Sequence, residues 1–110
     1  MKLLTKAIEQ KLLANGENPD QDHAPVVKFF NPCGGATWLI SEMDPNQHDL
    51  LFGLCDLGMQ CPELGTVRLS ELQNLRLPHG LSIERDLWFI GKHPMSWYAD
   101  KARAKGRIEA

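Results

Sequence analysis

The chain predicts an α+β fold in a single domain spanning 1–110: an N-terminal helix, an antiparallel meander of about four to five strands, a short helix and a C-terminal helix. Three observations predict it. Apolar residues recur at helical spacing near the two ends, and the middle carries short apolar runs separated by clusters of turn formers. The length, 110 residues, is that of one domain. A chain of this size buries roughly two-thirds of its unfolded surface, enough for a core without staples.

Leu4, Ala7, Ile8 and Leu12 define one face of a helix over about 5–15, with Thr5 as N-cap and Asn15-Gly16 as a left-handed stop. Residues 17–23 are a polar connector. The sheet region covers about 26–90. Val26–Phe30 reads as a strand, Asn31–Gly35 as the turn after it, and Thr37–Glu42 as the returning strand. Asp44-Pro45-Asn46 makes a second turn. Leu50–Cys55 is mostly apolar, as a strand buried on both faces would be, and Thr66–Leu69 is a shorter one.

Ser70-Glu71-Leu72-Gln73 matches a capping box, opening a brief helix with Leu72 and Leu75 inward. Ile83–Phe89 offers a last strand. Pro94 or Ser96 starts the final helix, over about 94–105, with Trp97, Tyr98 and Ala102 inward and Gly106 as its stop.

Twelve Lys and Arg against 14 Asp and Glu give a net charge of −2. That disfavours a general nucleic-acid binder, which should be basic, and a DNA mimic, which should be far more acidic. The sum hides an asymmetry: residues 1–63 hold nine acids and four bases, residues 64–110 five acids and eight bases. Three cysteines without a C-x-x-C pair, no signal-peptide pattern and no apolar span of about 20 residues predict a reduced cytoplasmic protein, without a membrane role.

Several blocks in one order carry a family resemblance. Asp22–Lys28 leads into Gly34–Glu42; Phe52–Gly58, Pro62–Gly65 and Leu69–Leu72 follow; Glu84–Leu87 stands near the end. Over Leu4 to about Ala102 the chain resembles the small bacterial proteins of domain-of-unknown-function family 2958. It departs from their pattern at Met59-Gln60-Cys61 and at Thr66. The resemblance implies an accessory protein of a plasmid, phage or other mobile element. It supplies no catalytic residues and implies no cofactor.

The residues suggest two further chemistries. Asp22, His23, Glu42, Asp56 and Glu63 are the acids and imidazole that a Mg²⁺- or Mn²⁺-dependent hydrolase or nuclease would need, if strand ends bring them together. The plainer reading of each is a turn former. A zinc site lacks the paired Cys and His spacing, and Gly34-Gly35 precedes a strand, which makes it a hairpin turn and not a phosphate loop. Cys55 reads as a small core residue and Cys33 as the more accessible thiol.

Consecutive aromatics, Phe29-Phe30 and Trp88-Phe89, would point to opposite faces of a strand. Unless helices cover both faces, one of each pair is left to meet a partner. Phe29, Phe30 and Trp88, with basic Lys101, Arg103 and Lys105, are therefore the candidate interaction residues. The first expectation is binding to a host or plasmid protein, in defence evasion or plasmid maintenance. Metal-dependent hydrolysis and weak nucleic-acid binding through the basic C-terminal helix are the alternatives.

Overall fold

Helix α1 (Lys6–Gly16) starts at Thr5, whose Oγ1 accepts the Ile8 amide at 3.2 Å. The computed structural model, which describes residues 2–110, corrects the expected stop. The helix runs through Gly16 and caps on Glu17 in a right-handed conformation. Gly16 has another use: a Cβ there would stand 2.0 Å from the Met43 carbonyl oxygen, so glycine lets the helix lie directly on the sheet.

Strands β1 (Val27–Phe30), β2 (Thr37–Asp44), β3 (Gln47–Asp56) and β4 (Glu63–Arg68) form successive hairpins. The chain then passes through α2 (Leu69–Asn74) and a short 3-10 turn. It returns as β5 (Glu84–Arg85) to the free edge of β1, giving an antiparallel sheet in the order β4-β3-β2-β1-β5. Helix α3 (Met95–Lys105) follows and ends at Gly106, whose φ of 75° is the left-handed stop expected there.

Both faces of the sheet are covered. On one, Val27, Phe29, Trp38, Ile40, Met43 and Leu51 pack with Leu12 of α1 and Leu72 of α2. On the other, Leu39 and Leu54 meet Met95, Tyr98, Ala99 and Ala102 of α3. Packing within the α1-side cluster removes Phe29 from the candidate interaction residues: it is fully buried. Phe30, on the opposite face, is half-buried.

Three other expectations are corrected. The last strand is two residues, not seven, because the Asp86 carboxylate accepts the Trp88 amide at 2.8 Å and turns the chain away. Leu75 lies past the end of α2 and is exposed. Trp97 is 39% exposed, and Tyr98, Ala99 and Ala102 form the inner stripe instead.

The two later helices complete their caps with distant residues. Arg68, two residues before the Ser70 of the expected capping box, and Pro94 are the N-caps of α2 and α3, and neither side chain caps its helix with a hydrogen bond. The Glu71 carboxylate does accept the Arg68 amide, at 3.2 Å. In α2, Asp49 of β3 accepts both the Ser70 amide at 2.8 Å and the Ser70 hydroxyl at 2.7 Å. In α3, Asp22 of the connector accepts the Ser96 amide at 3.1 Å and also its hydroxyl. These bonds, the hydroxyl first, hold both carboxyls below the usual aspartate range. Among the described residues, no helix is long and apolar enough to cross a membrane.

Candidate functional site

A β-bulge builds the site. Ile40 pairs with Gly53, but the next pair is Glu42 with Phe52, leaving Ser41 as an extra residue in β2. Strand side chains alternate between faces, so the extra residue resets the alternation. Met43 thereby enters the α1-side core, and Glu42 turns to the α3 side beside Phe52 and Thr66. Gly53 accommodates the close approach, since a Cβ there would lie 1.9 Å from the Leu39 carbonyl oxygen.

Helix α3 does not extend over this part of the sheet, and a groove remains. One compartment, about 190 Å³, is lined by Asp22, His23, Ser41, Glu42, Phe52 and Leu64, with Met95 and Ser96 from the start of α3. A larger one, about 550 Å³, runs toward Glu17, Asp44, Pro45, Leu50 and Thr66. Pro19, Glu42 and Phe52 line both, so the compartments meet at Glu42.

Glu42 is only 9% exposed, and burial pushes its carboxyl above the usual glutamate range, with the nearby His23 charge opposing the shift. Among the described residues its carboxyl has no hydrogen-bond partner. Ser41 is 1% exposed and its Oγ is also unpartnered. A buried hydroxyl left so costs about 1–3 kcal/mol, so the bulge holds two acceptors that the fold itself does not use. His23 is placed by the connector: its Nε2 is 2.8 Å from the Asn18 carbonyl oxygen and its own carbonyl accepts the Met95 amide at 2.8 Å. A carbonyl only accepts, so Nε2 donates this bond.

The structure thus brings together three of the five residues proposed for metal-dependent chemistry: Asp22, His23 and Glu42 line the same compartment. It does not bring Asp56 or Glu63 to them. Asp56 pairs with Thr37, four residues along β3 from Phe52, about 13 Å away at strand spacing. There it is buried, accepting the Gly58 amide at 2.8 Å and the Ile108 amide at 3.0 Å, a tie between the end of β3 and the C-terminal segment. Glu63 pairs with Cys55 on the α1 side of the sheet and is exposed. Among the described residues, no group of three or more His, Cys, Asp or Glu side chains is placed to hold a metal ion. Cys55 is half-buried against the core, where burial raises its thiol, and Cys33 is exposed in the β1–β2 turn.

A second surface lies where β5 ends. Leu87, Trp88 and Ile90 are 62%, 89% and 70% exposed, while Phe89 between them turns inward to Tyr98. The segment is fixed at both ends: Asp86 donates its amide to the Lys28 carbonyl at 2.9 Å, and Lys92 donates its amide to the Tyr98 hydroxyl at 3.1 Å. Of the basic candidates, Lys101 sits 4.8 Å from the Trp97 ring centroid and Arg103 pairs with Asp100 at 3.1 Å. Lys105 is exposed and, among the described residues, forms no ion pair.

Sequence reasoning missed Ser41 and Phe52. The signal was present in the spacing of Trp38, Ile40 and Met43: two steps and then three cannot keep one face of a regular strand, so an extra residue had to intervene. A family model described as "Protein of unknown function (DUF2958)" matches residues 3–109. No curated protein and no solved structure matches the chain.

Proposed function

Because the chain belongs to the DUF2958 family, whose description assigns no activity, we propose from its surface that it is a small accessory protein that works by binding another protein. The observation that carries this reading is the Leu87–Ile90 segment. Three large apolar side chains stand exposed on a backbone pinned at both ends. A rigid, exposed Trp loses little conformational freedom on docking and brings a large contact area, the pattern of an interface anchor. The basic residues of α3 favour a partner whose apolar pocket has an acidic rim. The family resemblance supports a role on a plasmid or phage, with a host or plasmid protein in the cytoplasm as the partner.

Replacing Trp88 tests this. With 89% of its surface exposed, Trp88→Ala should leave thermal unfolding unchanged, while truncation of an anchor costs about 2 kcal/mol or more of binding. Affinity capture from host lysate, run in parallel with both proteins, should recover a stoichiometric partner with the wild type and at least about ten-fold less with the variant. Equal recovery by both, or no stoichiometric partner for the wild type across several hosts, would overturn the proposal.

A further inference from the structure

We propose that the groove at the β2 bulge is a binding site for a guanidinium group. The site is independent of the Leu87–Ile90 segment. Glu17, Asp22, Glu42 and Asp44 line the two compartments together with His23, and among the described residues no Lys or Arg does. Its unused acceptors coincide with that charge. The Glu42 carboxyl, in a residue 9% exposed, lines both compartments with no hydrogen-bond partner among the described residues, and the neighbouring Ser41 Oγ, sealed from solvent, is unpartnered too.

The remaining chemistry selects the cation. A divalent metal needs several converging ligands, and among the described residues no trio of His, Cys, Asp or Glu supplies them. An ammonium is a compact, strongly hydrated charge that loses its water against the apolar walls formed by Pro19, Phe52, Leu64 and Met95. A guanidinium is planar and more weakly hydrated, and it presents N–H donors in a fork that fits a carboxylate. Phe52 stands directly across from Glu42 in the β2–β3 register. One guanidinium can therefore fork onto Glu42 and lie against the Phe52 ring. The smaller compartment takes this head and the larger takes the group that carries it.

The carrier is either a small molecule or an arginine side chain of a polypeptide, and two probes separate them: n-butylguanidinium and an N-acetylated, C-amidated Gly-Arg-Gly peptide. Binding is followed by amide chemical shifts in the full-length protein, with n-butylurea as the uncharged control. The expected result is saturable shifts at Ser41, Glu42 and Phe52, at least about ten-fold weaker binding of n-butylurea, and a similar loss in Glu42→Gln. Glu42→Gln nearly conserves side-chain volume, and its thermal unfolding verifies the fold. Tighter binding of the peptide assigns the site to a polypeptide arginine, and tighter binding of n-butylguanidinium assigns it to a small molecule. No saturable shift at these residues with either guanidinium probe, or equal affinity in Glu42→Gln, would overturn the proposal.

Discussion

Glu42 and Asp56 show how two acids that look alike in sequence take different work. Both stand in or at the end of an apolar run, and both are buried. Asp56 spends its two oxygens on the Gly58 and Ile108 amides. Glu42 spends neither, and the cost of its burial appears in a raised proton affinity. The folded protein thus binds this proton more tightly than the unfolded chain does. Stability should fall as pH rises from the ordinary glutamate value of 4.5 through the shifted one, and the penalty is constant above it. Glu42→Gln removes that penalty. In urea unfolding followed over pH, the variant should match the wild type near pH 3 and be the more stable of the two at pH 7. Equal stabilities across the series would mean that the carboxylate is solvated after all.

At the scale of elements, helices and turns were legible because local chemistry marks them: Thr5, Asn31–Gly35, Asp44–Asn46 and Gly106 all act as their residue types dictate. The bonds that hold Ser70 and Ser96 were not, because the capping atoms come from Asp49 and Asp22, 21 and 74 residues away. The bulge was half-legible, visible as a broken alternation but not as a groove, since a groove depends on where α3 stops. The bulge also leaves Gly53 no freedom. Gly53→Ala drives a methyl group into the Leu39 carbonyl, and overpacking of this kind costs about 3 kcal/mol. Denaturant titration should show that loss, with the Glu42 and Phe52 amide signals displaced more than those of α1.

For the whole molecule, composition was a fair guide to class and a poor one to layering. Consecutive aromatics mark a strand with two apolar faces, yet only the packing of α1 and α2 decides that Phe29 is core, and only the early end of β5 that Trp88 is surface. The charge asymmetry acquires a location: acids around the groove, exposed bases along α3. Acid should loosen the molecule through Asp22 and Asp49. Both carboxyls titrate below the ordinary aspartate value of 3.8, so their contribution is present above it and is lost as pH falls through the folded values. Replacing both with Ala should lower stability at neutral pH and flatten the acid limb of the stability profile, measured by chemical unfolding at pH 2–7.

The borrowed caps also bear on the order of assembly. A helix that carries its own N-cap can flicker into existence before the rest of the chain arrives, as α1 can with Thr5. Helix α3 has no such head start, because its first turn is completed only when the connector is already beside it; α2 has only the local bond from the Arg68 amide to Glu71 until β3 brings Asp49 to Ser70. Conversely, neither helix can fray from its N-terminus without releasing its serine from the sheet or the connector. The amides of Ser70 and Ser96 therefore report that release: each exchanges with solvent once its bond to Asp49 or Asp22 opens.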